Sequence, residues 1–170
     1  MPKCIMLVGL PGVGKTTWLQ DNLDILPPRT DTGYPPFVAS MDFYIDECAK
    51  ILGTTYSQVY PAIVGYAERA FQNDVTTLAF NGYDFIVDRR NLHKKLRREI
   101  IDRVMKNAKQ DYTFEAIVFK TPEERTHMDR LASRHGRYVP QTEIEEMQRV
   151  FDANVPTNAE GFLNIRFVEI

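Results

Sequence analysis

Short apolar segments alternate along the chain with longer segments in which apolar residues recur every three or four positions. Five segments are short and apolar enough to be strands buried on both faces, at 3–8, 37–41, 84–88, 112–119 and 164–170. The helical period predicts helices over residues 16–25, 56–81, 93–109, 122–135 and 141–153. Strands that alternate with helices are typical of a parallel sheet covered on both faces. We therefore predict an α/β fold in which the loops that follow the strands share one edge, where ligands bind.

Prolines and glycines mark the ends of several predicted elements. Pro27 and Pro28 end the first helix, and residues 30–36 are a loop rich in Pro, Gly and Thr. Gly82 stops the long helix. Pro122 begins a later helix, in the first turn, where proline is tolerated.

The composition is that of an ordinary globular protein. The chain has 170 residues, of which 44% are hydrophobic and 26% charged, which excludes a disordered or fibrous protein. Its length suits one domain, residues 1–170. Lys and Arg total 21 against 23 Asp and Glu, a net charge of -2. This balance argues against wrapping nucleic acid through overall charge, and it leaves a local basic patch open.

Two features bear on the location of the protein. Cys4 and Cys48 cannot form a disulfide framework, so we expect a reducing compartment. The apolar start of the chain stops at Gly9, which is too short for a signal peptide or a membrane span. The expectation is a soluble, cytoplasmic protein with no membrane partner.

Residues 9–16 fit the phosphate-binding pattern G-x-x-x-x-G-K-[ST] in full, between a predicted strand and a predicted helix. Glycines let backbone N–H groups turn toward phosphate oxygens, and the start of the helix adds its positive dipole. We expect Lys15 to reach the β- and γ-phosphates of ATP and the Thr16 hydroxyl to bind Mg²⁺. The loop residues predicted to bind the nucleotide are Gly9, Pro11, Gly12, Val13, Gly14, Lys15, Thr16 and Thr17.

Two aspartates follow apolar strands at the same edge of the sheet. Asp88 ends the third predicted strand, where an acid of this kind supports Mg²⁺; alternatively it opens the next turn or caps the next helix. Asp42 follows the second strand, where a carboxylate can accept the proton of an attacking hydroxyl. The alternative for Asp42 is an N-cap of a helix over residues 44–52.

Seven of the 21 Lys and Arg residues lie between positions 89 and 103: Arg89, Arg90, Lys94, Lys95, Arg97, Arg98 and Arg103. Most charge runs are a solvated helix face, and residues 94–103 fit that interpretation. Arg89 and Arg90 differ because they directly follow Asp88 at the edge where ligands bind.

A second basic segment surrounds Gly136. Arg130 and Arg134 are four residues apart, so a continuous helix would present both on one face toward a single anion. A helical lid over about residues 122–140 that brings arginine to the transferred phosphoryl group is a recurrent device of phosphoryl transfer. The alternative for Arg134 is a surface ion pair with Asp129 or Glu143.

Two other kinds of site have no supporting pattern. The histidines His93, His127 and His135 have no spacing suited to a metal ion, and we predict that all three are surface residues. The guanine-recognition sequence Asn-Lys-x-Asp is absent, which disfavours a GTPase switch.

Several motifs together carry a family resemblance. They are Gly-Leu-Pro-Gly-Val-Gly-Lys-Thr-Thr-Trp at 9–18, Ser-Met-Asp at 40–42, Val-Asp-Arg-Arg-Asn-Leu at 87–92, Arg-Leu-Ala-Ser-Arg-His-Gly-Arg-Tyr-Val-Pro at 130–140, and a Pro…Glu-Gly-Phe element at 156–162. In this order they resemble the kinase domain of bacteriophage polynucleotide kinase and its P-loop relatives. The resemblance implies a P-loop kinase fold with a five-stranded parallel sheet in the order 2-3-1-4-5 and a helical lid.

The resemblance also implies roles for individual residues. Lys15 and Thr16 would contact the ATP phosphates and Mg²⁺, and Asp42 would be the general base. Arg134, with Arg130 beside it, would hold the donor phosphates from the lid. The acceptor would be bound by Asp42, Arg89, Arg90 and Asn91, with Asp88 acting on Mg²⁺ or on the acceptor.

The chain departs from the family pattern at position 45. The phage enzyme has an arginine three residues after its base aspartate, where it holds a phosphate of the polynucleotide, and this chain has Ile45. Some phage relatives instead phosphorylate the hydroxymethyl group of 5-hydroxymethyluracil in DNA, so either acceptor fits the resemblance.

The leading prediction is therefore an ATP- and Mg²⁺-dependent kinase that acts on a hydroxyl of a nucleic acid, DNA or RNA, in the cytoplasm of a cell or of a viral host. The alternatives are a kinase of a small metabolite or nucleotide with the same fold, and a non-catalytic module that binds ATP and nucleic acid. A mere binder would not need Asp42, Asp88 and Arg134 together.

Overall fold

The computed structural model describes residues 1–22 and 37–170. Within them, five parallel strands form one sheet in the order β2-β3-β1-β4-β5, which confirms the order implied by the family resemblance. The strands are β1 (Lys3–Val8), β2 (Phe37–Ser40), β3 (Phe85–Asp88), β4 (Thr113–Phe119) and β5 (Phe162–Val168). The helices are α1 (Lys15–Asp21), α2 (Met41–Ile51), α3 (Tyr56–Asn81), α4 (Lys94–Asn107), α5 (Glu124–Ala132) and α6 (Gln141–Ala153). A short 3₁₀ turn, Asn158–Glu160, precedes β5.

The central strand β1 aligns the ends of its neighbours. Every residue from Cys4 to Val8 is buried, which is why this run is apolar without alternation. The register pairs Leu7 of β1 with Asp88 of β3, and Ser40 of β2 with the same aspartate. These three strands therefore end together, and the loops that follow them meet at one edge of the sheet.

The long helix α3 starts at this edge. A capping box precedes it, in which the Thr55 hydroxyl and the Gln58 side chain each accept a hydrogen bond from the other residue's backbone N–H. The helix runs over 26 residues to Asn81 and stops before Gly82, as predicted. Its first residue, Tyr56, faces the candidate site described below.

Some predicted boundaries were wrong by a few residues. The fifth helix begins at Glu124 rather than Pro122, with an acidic side chain in its first turn, where the helix dipole favours it. It ends at Ala132 rather than near position 135, because the Arg134 N–H bonds the Leu131 carbonyl three residues back. Met41 begins α2 instead of ending β2.

Parts of the chain lie outside the described residues, including the predicted end of the first helix at Pro27 and Pro28 and the loop at 30–36. In residues 1–22 and 37–170, no helix combines the length and the apolar character needed to cross a bilayer. Cys4 and Cys48 are both free thiols.

Candidate active site

The phosphate-binding loop connects β1 to α1 and is shaped by its glycines. Gly12 has a φ of 78°, in the left-handed region, and a Cβ built there would lie 2.9 Å from Cδ2 of Leu131. Helix α5 therefore packs directly on the loop. Thr16 and Thr17 are exposed in the first turn of α1, so their hydroxyl groups are accessible to a ligand.

Lys15 folds back over this loop. Its Nζ donates hydrogen bonds of 2.8 Å to the Gly9 carbonyl and 2.7 Å to the Leu10 carbonyl. Burial lowers the pKa of Lys15 to about 8, while the negative charges of Asp88 and Asp42 oppose the shift. The ammonium group is thus held inside the loop and faces both predicted acids.

Asp88 ends β3 at the centre of this edge. Burial raises the pKa of its carboxyl group, Lys15 lowers it, and Asp42 raises it again, so the three groups share one electrostatic environment. Asp88 does not cap a helix, since α4 begins six residues later with His93 as its N-cap. The helix-cap alternative for Asp88 is wrong.

The oxygen atoms near the loop suit Mg²⁺. The exposed Thr16 hydroxyl and the Asp88 carboxylate are both hard oxygen donors, as Mg²⁺ requires. In the described part of the chain, no three His, Cys, Asp or Glu side chains are grouped to hold a metal ion by themselves. A magnesium ion here would therefore depend on nucleotide phosphate oxygens for much of its coordination.

Asp42 lies in the first turn of α2, and both of its carboxylate oxygens are engaged. The Tyr56 hydroxyl donates to Oδ1 at 2.7 Å, and a terminal guanidinium nitrogen of Arg137 donates to Oδ2 at 3.0 Å. Burial and Asp42 both raise the pKa of Tyr56, so its hydroxyl stays a donor at neutral pH. The N-cap of α2 is Ser40, so the helix-cap alternative for Asp42 is wrong.

Three neighbours of Asp42 were not predicted as site residues. The Arg137 guanidinium also pairs with Asp46 and lies 4.1 Å from the centre of the Tyr56 ring. Asp42 and Asp46 are four residues apart, and this spacing was the available sign that they share a helix face. Tyr56 had no such sign, because its contact depends on how α3 packs against α2.

Arg134 lies beyond the end of α5, so the predicted shared helix face with Arg130 is wrong. No carboxylate of the described residues is within 4.0 Å of Arg134, so the alternative of a surface ion pair with Asp129 or Glu143 is wrong. Burial and the neighbouring charge of Arg137 lower its pKa. A cavity of about 370 Å³ opens between Arg134 and the start of α3.

Arg130 points elsewhere. It donates to the Ile170 carbonyl at 3.0 Å, and Ile170 lies beside Gly14 of the phosphate-binding loop. Arg130 is therefore near the phosphate-binding loop through its contact with Ile170.

The loop after β3 is tied to the phosphate-binding loop. The Arg90 carbonyl accepts a 3.0 Å hydrogen bond from the Gly9 N–H, and the Asn91 amide donates to the Leu7 carbonyl at 2.8 Å. Asn91 is buried with a φ of 50°, and its Oδ1 has no protein partner in the described residues. Arg89 forms a two-contact ion pair with Glu68 at 3.0–3.1 Å, while the Arg90 side chain is exposed.

The basic segment after this loop is not a uniform solvated face. Arg97 is fully buried against Glu160, and Arg103 donates to Gln72 and Thr76 of α3. For these two residues the solvated-face interpretation is wrong, because each has partners on another element. The exposed members are Arg90, Lys94, Lys95 and Arg98.

The prediction that all three histidines are surface residues is wrong for His127. His127 is buried, and its Nε2 lies 2.7 Å from the carbonyl oxygen of Pro11 in the phosphate-binding loop. His93 and His135 are exposed, as predicted.

Comparison with known proteins gives a family match and a set of structural neighbours. The AAA domain family matches residues 4–154. A protein proposed to be a kinase from Chloroflexus aurantiacus has a TM-score of 0.69 at 19% identity, over 99% of this chain and 85% of that one. Kti12 of Chaetomium thermophilum, solved with ADP-AlF3, has a TM-score of 0.66 at 19% identity, over 98% of this chain and 88% of that one.

A third neighbour is a chain of the Pnkp1/Rnl/Hen1 RNA repair complex. It has a TM-score of 0.65 at 20% identity, over 89% of this chain and 44% of that one. No curated protein sequence is similar enough to this chain to count as a match. At these identities, the solved structures establish the fold alone.

Proposed function

Because the chain belongs to the AAA domain family and has a P-loop kinase-type fold, we propose that it is an ATP-dependent kinase that phosphorylates a hydroxyl group of a nucleic acid. The proposed acceptor is the 5′-hydroxyl end of DNA or RNA, or the hydroxymethyl group of 5-hydroxymethyluracil in DNA. The proposed catalytic domain is the whole of residues 1–170, with the lid at about 122–140.

The convergence of Lys15, Asp88 and Asp42 is the observation that carries this proposal. The charges of Asp88 and Asp42 both act on Lys15, although Lys15 begins α1, Asp42 lies in the first turn of α2 and Asp88 ends β3. A protein that only binds a nucleotide needs a cation for the phosphates but no second acid facing it. The arrangement fits a site that both binds a phosphate chain and activates an acceptor.

The side chains present suggest how the transfer would proceed. Lys15 would leave the carbonyls of its own loop and bind the β- and γ-phosphates, while Arg134 would add a second positive charge from the lid. Asp42 would accept the proton of the acceptor hydroxyl. The oxygen of that hydroxyl would form a bond to the γ-phosphorus while the bond from this phosphorus to the oxygen that bridges it to the β-phosphate breaks. Mg²⁺, held by Thr16 and Asp88, would screen the charge of the phosphates.

The nucleic-acid acceptor is supported by the motif resemblance and by the fold shared with the RNA-repair chain. It is also supported by the exposed basic residues next to Asp88. Arg90, Lys94 and Lys95 are all exposed, within seven positions of that aspartate. Such residues could bind phosphates of a strand whose hydroxyl lies near Asp42.

A small-molecule kinase is the second candidate, and the ion pairs favour it. Arg89 is paired with Glu68 and Arg97 with Glu160, so neither guanidinium is free for a nucleic-acid phosphate. Asp46 adds a negative charge beside Asp42, and Ile45 is fully buried, so α2 offers no cation to an anionic acceptor there.

A transfer assay with γ-labelled ATP separates these functions. The acceptors are 5′-OH DNA and RNA oligonucleotides, a duplex containing 5-hydroxymethyluracil, free nucleosides and a panel of small alcohols, with Lys15→Ala as the blank. Label on an oligonucleotide or on the modified base supports the proposal. Label only on a small molecule supports the second candidate, and ATP binding without transfer to any acceptor makes the protein a binding module and overturns both.

A further inference from the structure

We infer that Arg137 is a positioning residue which, together with Asp46, couples the base Asp42 to the lid arginine Arg134. This inference rests on the proposed function and adds to it two residues that the motif resemblance does not assign. The group formed by Asp42, Asp46 and Arg137 is called the lid bridge below.

The Arg137 guanidinium of the lid bridge is contacted from three sides. Arg137 pairs with Asp42 through one terminal nitrogen and with Asp46 through the other, and the two carboxylates lie one helical turn apart on α2. The Tyr56 ring forms the third side, 4.1 Å from the guanidinium carbon. The Arg137 side chain is only 19% exposed, whereas the Asp42 and Asp46 side chains are 47% and 48% exposed, so the guanidinium is the shielded side of the pair.

The backbone connects Arg137 to Arg134. The Arg137 N–H donates to the Arg134 carbonyl at 3.3 Å, so both residues belong to one tight turn after α5. This turn is fixed to the start of α3, because the Ser57 N–H donates to the Gly136 carbonyl and the Ser57 hydroxyl accepts from the Tyr138 N–H, both at 3.0 Å. The contact of Arg137 with α2 and the Ser57 contacts with α3 together set where Arg134 lies relative to Asp42.

Asp46 contributes to this coupling through its negative charge. Arg134 and Arg137 are close enough for the positive charge of Arg137 to lower the pKa of Arg134, and Arg134 has no carboxylate within 4.0 Å in the described part of the chain. The carboxylates of Asp42 and Asp46 offset the charge of Arg137. Removing Asp46 would leave more of that repulsion acting on Arg134, although Asp46 itself lies one turn away from the proposed base.

Four variants test the inference: Asp46→Asn, Arg137→Gln, Arg137→Lys and the double variant Asp46→Asn/Arg137→Gln. The control is Arg149→Gln, which removes an exposed ion pair with Glu146 on α6. We measure kcat and KM for ATP and acceptor, the melting temperature, and the release rate of a fluorescent ATP analogue. Arg137→Gln should lower kcat about 10- to 100-fold, as expected for a misplaced catalytic group, with KM for ATP raised no more than release of the analogue is accelerated.

The pattern among the variants distinguishes positioning from simple structural support. Asp46→Asn should lower kcat by less than Arg137→Gln, and the double variant should equal Arg137→Gln within about twofold, because both changes break one unit. Arg137→Lys should restore part of kcat, since it keeps the charge and loses the two-sided contact. Release of the ATP analogue should be faster in Asp46→Asn and Arg137→Gln at an unchanged melting temperature, and unaffected in Arg149→Gln.

The release rate also separates failure of the inference from failure of the proposed function. If the unmodified protein phosphorylates no acceptor, the proposed function is wrong, and the bridge is judged by nucleotide release alone. Unchanged release in both Asp46→Asn and Arg137→Gln overturns the coupling, whatever happens to kcat. Additive losses in the double variant overturn it as well.

Discussion

Arg97 forms two hydrogen bonds of 2.8 Å with the carboxylate of Glu160, 63 positions later in the chain. The Arg97 side chain is fully buried, and its other N–H groups donate to three backbone carbonyls at 2.7–2.9 Å, those of Asn91, Leu92 and Asn154. All five donors of the guanidinium are therefore used. This pair fixes the loop after β3, which carries Arg89 to Asn91, against the segment after α6.

Substitution of Arg97 should destabilise the protein strongly. Arg97→Met leaves the Glu160 carboxylate buried without its cation, so we expect the free energy of unfolding to fall by about 3–5 kcal/mol. Urea denaturation measures it. Arg98→Met is the matched control, since Arg98 is exposed and paired only with Asp102, and it should change stability by less than about 1 kcal/mol. Equal losses in the two variants would contradict the structural role of Arg97.

The central strands β3, β1 and β4 were predictable because they are largely buried on both faces, whereas the edge strand β5 is mostly exposed. A run such as residues 4–8 has no polar position, and this alone indicates a parallel sheet with helices on both sides. The sequence pattern could not show that Arg97 is buried while its neighbour Arg98 is exposed. Arg97 is buried because it pairs with Glu160, and no spacing rule relates Arg97 to a residue so far along the chain.

In the candidate site too, residues that are contiguous in sequence were predictable, and contacts between separate elements were not. The phosphate-binding loop is contiguous in sequence, so its pattern predicted the positions of Lys15 and Thr16 directly. The partners of Asp42 come from the start of α3 and from the turn after α5. Their approach depends on helix packing and on where α5 ends, which was predicted too late in the chain. His127 was missed for the same reason, since its partner is a carbonyl oxygen of another loop.

Asp42→Asn should slow transfer far more than it affects nucleotide binding. The asparagine oxygen can still accept from Arg137 while its amide group donates to the Tyr56 hydroxyl oxygen, but it cannot take the proton of the acceptor, so we expect kcat to fall by roughly 10²–10⁴. Steady-state kinetics with a fixed acceptor measures it. Glu47→Gln, on the same helix, is the control and should have no effect on kcat. Activity within about threefold of the unmodified protein would remove Asp42 as the base.

Nucleotide affinity should depend on pH through Lys15. Burial lowers the pKa of Lys15 to about 8, so the ammonium predominates at pH 7 and is lost as pH rises through 8. Bound phosphate favours the charged form, and binding therefore weakens above pH 8. We expect the Kd for ATP to rise by up to about tenfold between pH 7 and pH 9. Lys15→Arg keeps its charge throughout, so its Kd should be higher but flat over this range, and a parallel rise would exclude Lys15 as the cause.

Gly12→Ala should impair nucleotide binding through the shape of the loop. A Cβ at position 12 would lie 2.9 Å from the Leu131 side chain. The backbone there has a φ of 78°, which costs about 1–2 kcal/mol for a residue with a side chain. We expect a rise of about tenfold in the Kd for ATP, measured by titration calorimetry. Gly53→Ala imposes similar strain, at a φ of 62°, with no atom within 4 Å of the new Cβ. It should lower the melting temperature and leave the Kd unchanged.

The exposed basic residues after β3 decide between the two candidate acceptors. The Arg90 backbone is held at the phosphate-binding loop, its side chain is exposed, and Lys94 opens α4 nearby. If a strand binds there, Arg90→Ala and Lys94→Ala should each raise KM for a polynucleotide and leave KM for ATP nearly unchanged. Each lost phosphate contact should also reduce the slope of log affinity against log salt by about one. Lys106→Ala, at the far end of the same helix, is the control. A small-molecule acceptor never reaches α4, so an unchanged acceptor KM in both variants at two salt concentrations would mark these residues as a solvated face and favour the small-molecule kinase.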